Sequence, residues 1–375
     1  MKELGIYVHI PFCVKKCEYC DFASYSDKIR LAPQYIKALK EEIKQQSRKL
    51  LDVKIKTIYI GGGTPSYLKT EHIVEIVEWI KAKFNINSEE EQPEITIEVN
   101  PGSIVREKLQ EYKDVGINRL SIGLQSTEDR LLLKLGRIHN YSRFLQTYNL
   151  ARQVGFENIN IDLMIGLPEQ TVIGVEDAIC KVIELNPEHI SVYSLIIEEG
   201  TKFYQLYENN RLDLPTEEEE RRMYWTVKEN LENNGYKHYE ISNFAKTGYE
   251  SKHNMDCWNQ KEYIGFGAAA HSYIDNKRYS NSKTIEDYIN NNKVTIHEEQ
   301  TKEMQMKEYM LLGLRKIEGV SIAEFKNKFI ENPVYVFRNE FDKLVREELI
   351  EIDEDKIKLK NKGIDLANLV WEEFV

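Results

Sequence analysis

IYVHIPFCVKKCEYCDF, residues 6–22, decides how the rest of the chain reads. Its first part, IYVHI, is a short apolar run rich in β-branched and aromatic residues, the signature of a buried strand. Its second part holds Cys13, Cys17 and Cys20 in the spacing C-x3-C-x2-C. A [4Fe–4S] cluster ordinarily takes four thiolates, and no fourth cysteine follows nearby. Three ligands would leave one iron open to a group the protein does not supply. Two plainer readings compete. A zinc site could recruit His9, but zinc sites usually add a second cysteine pair well downstream, and there is none. A disulfide framework is disfavoured by the odd total of five cysteines and by the lack of a secretory leader pattern.

Outward from this stretch, short apolar runs alternate with amphipathic ones. TIYIGG (57–62), ITIEV (95–99), RLSIGL (119–124), INIDLMIG (159–166) and HISVYSL (189–195) read as further buried strands. Helical periodicity fills Ala32 to Leu51, Thr70 to Phe84, Ile104 to Val115, Tyr141 to Val154 and Val172 to Leu185. Such alternation predicts parallel βα units. Six strands fall short of the eight in a closed barrel, so residues 1–200 are expected to form an open partial (β/α)6 TIM-like barrel. Functional groups in such folds gather at the C-terminal ends of strands. The cysteines follow strand one, Gly62 to Thr64 end strand two, Glu98 ends strand three, Gln125 ends strand four, and Asp162 lies in strand five.

From Thr201 the pattern changes. A charged helix (Thr216 to Asn233) leads to HYEISNFA (238–245), then to a stretch holding HNMDCW and IGFGAAAHSY that reads as a loop. Residues 301–375 are expected to be a small α+β winged-helix-like domain, with helices at 302–316, 321–330 and 334–347 and a hairpin of LIEID and KIKLK. That leaves 201–300 as an extension of the barrel. Winged helices often bind DNA, but this one carries 13 basic against 16 acidic residues, and the whole chain 51 against 62. A net charge of −11 disfavours nucleic acid as a partner. No apolar run approaches the ~18 residues that span a bilayer. The expected location is the cytoplasm, with peripheral membrane contact and the choice between monomer and dimer left open. Cys180, within a helical pattern, is expected in the core.

The cysteine triad, Tyr19 before its last member, and Gly61-Gly62-Gly63-Thr64-Pro65 together resemble the radical S-adenosylmethionine (SAM) superfamily. Within it, YVHIPFC, YCDF, EVNP, SIGLQS, IDLMIGLP and HN-x-x-x-W are similar to one branch, that of oxygen-independent coproporphyrinogen III oxidase (HemN) and its relative HemW, a heme chaperone. The likeness runs from Tyr7 to about Gly319. It implies that Cys13, Cys17 and Cys20 ligate three irons of a [4Fe–4S] cluster, with SAM chelating the fourth through its amino and carboxylate groups. It further implies SAM contacts from Tyr7, Tyr19, Gly62, Gly63, Thr64, Glu98, Gln125, Arg137, Asp162 and Ile196. The residue types suit these roles: glycines admit close backbone approach, Glu98 can accept from an ammonium or ribose hydroxyl, and Arg137 can pair with a carboxylate.

Two departures separate the relatives. The oxidases carry an extra cysteine two positions after the third, where this chain has Phe22, and a long segment before the first strand, which here begins almost at Met1. Both point toward the chaperones. That group typically shows HN-x-x-Y-W, whereas this chain has Cys257 in place of the tyrosine. Imidazole and thiolate are both common axial ligands to heme iron, which makes His253, Cys257 and the nearby His271 the candidates. The resemblance thus implies a heme chaperone that binds cluster, SAM and heme and delivers heme to recipient hemoproteins such as respiratory enzymes. The runner-up is decarboxylation of coproporphyrinogen III to protoporphyrinogen IX.

Overall fold

In the computed structural model, which describes residues 1–86, 92–291 and 293–375, all six expected strands form and run parallel. They are β1 (Lys2–Ile10), β2 (Val53–Gly62), β3 (Glu94–Val99), β4 (Arg119–Gln125), β5 (Ile159–Ile165) and β6 (His189–Ser194), paired in chain order. Further strands extend both edges. The hairpin of β7 (Lys237–Glu240) and β8 (Asn243–Ala245) joins β6 antiparallel. Beside β1 lies β9 (Tyr263–Phe266), parallel, followed by antiparallel β10 (His271–Ile274), β11 (Lys277–Ser280) and β12 (Thr295–Glu299). Added strands therefore flank β1 and β6 where a closed barrel would pair them with each other.

Away from register slips in β2 and β4 the strands alternate, because successive side chains point to opposite faces. Ile6, Val8 and Ile10 of β1, Ile58 and Ile60 of β2, and Ile95, Ile97 and Val99 of β3 are buried in one core with helix residues such as Leu39, Ile76 and Leu109. Each such side chain contributes roughly 1.5–3 kcal/mol relative to exposure. The intervening positions are polar or bare: Tyr7 and His9, Thr57, Tyr59 and Gly61, Thr96 and Glu98, Ser121 and Gly123, Asn160 and Asp162. These line the inside of the barrel.

Three sequence expectations need correction. Cys180 is exposed: its helix, Val172–Glu184, buries Val175, Ala178, Ile179 and Val182, and one 100° step beyond Ile179 leaves that face. The stretch around HNMDCW is ordered secondary structure. Lys252–Trp258 is a helix whose N-cap Ser251 accepts the Asn254 N–H, and IGF and HSYI belong to β9 and β10. The single helix expected at 334–347 is two, Pro333–Val336 and Arg338–Arg346, with Phe337 between them out of helical geometry. The terminal segment otherwise packs its own core, including Phe325, Phe341, Ile350 and Phe374, around a three-stranded sheet. Among the described residues, no helix is long and apolar enough to cross a membrane.

Candidate functional site

The cysteine loop leaves β1 at Pro11 and is held by backbone bonds. Cys13 N–H donates to Tyr25 O (3.0 Å), Tyr25 N–H to Pro11 O (2.8 Å), and Cys20 N–H to Cys17 O (3.2 Å). All three cysteines are free thiols. The turn after β2 runs along the loop, with Gly63 N–H donating to Ile10 O (2.9 Å) and Thr64 N–H to Phe12 O (2.8 Å). Only glycine fits there. A Cβ on Gly63 would lie 3.0 Å from Cys13 Sγ, and one on Gly62, at φ +114°, would lie 2.5 Å from the His9 ring. That ring donates through Nε2 to Ala23 O (2.9 Å) and accepts from Tyr7 OH through Nδ1 (3.0 Å), tying the loop to β1.

The sulfurs already receive donors: Cys13 from Thr64 Oγ1 (3.5 Å), Cys17 from Arg137 Nη1 (3.7 Å), and Cys20 from the Phe22 backbone. Burial pushes the Cys13 and Cys20 thiols above their ordinary range. Sulfurs desolvated in this way ionise only beside a cationic centre, and an iron–sulfur cluster would supply one.

Beside the cysteines lie two carboxylates. Glu98 Oε1 accepts from Tyr59 OH (3.0 Å) and Oε2 from Gly62 N–H (3.0 Å). Asp162 accepts from Asn160 Nδ2 (2.7 Å) and Ser121 Oγ (3.1 Å). Burial, and then the charge of Asp162, raise Glu98 to about 7; burial raises Asp162 despite its donors. Carboxylates shifted in this way favour a cationic ligand. Across from them β4 slips one residue against β5 between Gly123 and Gln125, and Gln125 adopts φ +73°. Gln125 Nε2 and Arg137 Nη2 crowd above Gly123, where a Cβ would lie 3.0 and 3.1 Å from them. Arg137 Nη2 donates to Gly123 O (2.7 Å), while its buried Nε–H has no hydrogen-bond partner. An orphaned guanidinium donor beside two raised carboxylates suits a ligand that carries an ammonium and a carboxylate side by side, as the methionine end of SAM does. Tyr19 packs toward Phe203, with ring centroids 6.4 Å apart, and Ile196, two residues past β6, is 66% exposed.

The heme candidates lie elsewhere. The helix Lys252–Trp258 sits near the N-terminal ends of the parallel strands, opposite the cysteines. His253 Nδ1 pairs with Thr57 Oγ1 (2.8 Å), its N–H donates to Glu94 Oε1 (3.3 Å), and its ring stacks on Tyr59 with centroids 5.2 Å apart. Burial, helped by Arg119, lowers its imidazole to about 4. On the same helix, burial and then Asp256 raise the Cys257 thiol to about 12. His271 is exposed on β10, between β9 and β11, and stacks on His297 with ring centroids 5.5 Å apart. Trp258 clamps the terminal segment: the Arg315 guanidinium lies 4.5 Å from its ring centroid and 4.4 Å from that of Trp371.

Sequence reasoning missed Tyr59, Asn160 and His189, which support the site from inside the barrel. Period-two reading of TIYIGG would have marked Tyr59, since it shares a face with Gly61.

Residues 7–179 match the model of the Radical SAM superfamily, and residues 300–366 that of the HemN C-terminal domain. The chain is 40% identical to the heme chaperone HemW of Bacillus subtilis over 98% of each chain. It is 37% identical to HemW of Lactococcus lactis over 100% of this chain and 98% of that one. Among solved structures it is similar to coproporphyrinogen III oxidase (HemN) from Escherichia coli, with a TM-score of 0.86 over 100% of this chain and 90% of that chain. Identity to it is 24%, so that likeness is one of fold.

Proposed function

The chain belongs to the HemW family of radical SAM heme chaperones, and on that premise we propose that it holds a [4Fe–4S] cluster and SAM at the barrel mouth, takes up heme, and delivers it to hemoproteins such as respiratory enzymes. In this reading Cys13, Cys17 and Cys20 hold three irons. Arg137 takes the SAM carboxylate and Glu98 its amino group, with Gln125, Asp162, Tyr7, Tyr19, Gly62, Gly63, Thr64 and Ile196 completing the pocket. The bound cluster supplies an electron. The chain's own part is to hold these groups at one end of the strands and to keep the thiols facing them.

Heme is assigned to the helix Lys252–Trp258. His253 engages Thr57 through Nδ1, which leaves Nε2 as the nitrogen for iron and makes Thr57 the group that orients it. Cys257 is the second candidate, and His271 a separate one on β10. Residues 1–200 act as the cofactor barrel, 201–300 as the heme-bearing extension, and 301–375 as the module that meets the recipient, in the cytoplasm or at a membrane surface.

The observation that favours chaperone over oxidase is Phe22. Its side chain is 64% exposed beside the cysteine loop, at the position where the oxidases carry a further cysteine. Anaerobic reconstitution tests the reading, with heme binding and coproporphyrinogen turnover assayed on one sample. Heme binding without protoporphyrinogen formation is expected. Protoporphyrinogen at catalytic yield would replace the chaperone reading with the oxidase.

A further inference from the structure

Between the mouth and the helix Lys252–Trp258 lies the side chain of Tyr59, which touches both. The Tyr59 hydroxyl donates to Glu98 Oε1 at 3.0 Å, and the opposite part of the same ring stacks on His253 at 5.2 Å and 28°. The ring has little freedom. A Cβ at Gly61 would lie 2.9 Å from both Tyr59 Cε1 and Glu98 Oε1, so glycine makes the room that the pair fills. Thr57, two residues earlier on the same face of β2, holds the other side of the imidazole. We propose that Tyr59 is a positioning residue shared by both sites, so that SAM at the mouth and heme at the helix change one another's affinity. This rests on the assignment of heme to that helix.

The physical reason is competition for one carboxylate. A cationic ligand that engages Glu98 draws on the same oxygens that accept from Tyr59, and a weakened O–H contact frees the ring to shift across His253. A second connection reaches the same helix. Ser251 N–H donates to Tyr239 OH (3.3 Å), Tyr239 OH pairs with His189 Nε2 (2.7 Å), and His189 Nδ1 pairs with Asn160 Oδ1 (2.6 Å). Asn160 Nδ2 then donates to Asp162 (2.7 Å). Only one set of proton positions satisfies every link: each donor points from the helix cap toward the carboxylate, with His189 protonated on Nδ1. Both SAM-facing carboxylates are thus tied to the helix that carries His253. Coupling of this kind is reciprocal, and it typically amounts to about 5- to 150-fold in affinity.

The test is a heme titration followed by Soret absorbance, with and without saturating SAM, on anaerobically reconstituted wild type, Y59F and H253A. In the wild type, SAM should change heme affinity by about fivefold or more. Y59F keeps the stacked ring but loses the bond to Glu98, so its ratio of affinities should fall toward one. SAM-independent heme affinity in a wild type whose H253A variant has lost the normal band would overturn the coupling alone, as would a Y59F protein with undiminished SAM dependence. An unaltered heme band and affinity in H253A would overturn the heme assignment beneath it.

Discussion

The guanidinium of Arg137 lies 3.7 Å from the sulfur of Cys17, so the residue proposed to grip SAM also touches a proposed ligand of the cluster. Arg137→Ala should therefore have two effects. SAM binding should weaken by about 1.5–3 kcal/mol, the usual worth of hydrogen bonds to a charged group. The midpoint potential of the cluster should fall, because a positive charge beside a thiolate favours the reduced state. Arg137→Lys should retain much of the potential and less of the affinity, since it keeps charge without the planar fork. Equilibrium dialysis and anaerobic potentiometry measure the two. An unchanged potential in Arg137→Ala would mean the contact has no bearing on the cluster.

Replacing Cys13, Cys17 or Cys20 singly with Ala should abolish the cluster, read as iron and sulfide content near four each in the parent protein. Cys180→Ala should not, because that thiol is exposed on the outer face of a helix. Stoichiometric zinc without iron in anaerobically purified protein would contradict the assignment.

SAM binding should depend on pH through Glu98. Burial, and then the charge of Asp162, push its carboxyl from an ordinary 4.5 up to about 7, which favours the protonated form below neutrality. A cation that requires the ionised form should then bind about tenfold more weakly at pH 6 than at pH 8. Stability of the ligand-free protein runs the other way. Between about 4.5 and 7 the folded state holds more protons on Glu98 than the unfolded state does, so its contribution declines as pH rises through that window. Glu98→Gln should flatten both profiles, as measured by calorimetric titration and denaturant melts across pH. A SAM affinity that stays constant from pH 6 to pH 8 would rule out this role.

Heme ligation should distinguish the two residues on one helix. His253→Ala should lower affinity or shift the Soret band, and Cys257→Ala should do so if thiolate is the ligand. The high pKa of Cys257, about 12, argues that a thiolate forms there only on an iron. Cys257→Tyr, which restores the residue usual in the family, should leave an imidazole-type spectrum unchanged. Unaltered spectra in all three variants would move the heme site to His271 or beyond it.

The barrel and its mouth were legible in the sequence because both follow from local rules. Apolar runs of strand length mark β1 to β6, and residues that close such runs, such as Gly62 and Glu98, must sit at one end. The helix Lys252–Trp258 was not legible. It is only seven residues long and His253 is its buried residue, so no apolar period announces it. The placement of β9 beside β1 was equally hidden. It joins Tyr263 to Gly5 across more than 250 residues, and it relies on Gly265, where a Cβ would strike His271 O at 2.2 Å. Nothing in a one-dimensional pattern encodes which distant segment completes an edge.

The alternation of the six strands also limits how this chain can drift in evolution. Deleting or inserting one residue within a strand turns its isoleucines toward the barrel interior and its polar groups toward the helices, so strand lengths are under far tighter constraint than loop lengths. β4 shows how an odd residue can be absorbed: the slip between Gly123 and Gln125 takes it up at the strand's end and leaves the earlier registration intact. Lineages that vary in strand length should therefore do so where a slip already exists to receive the change, at that end of β4 or near Lys56 of β2.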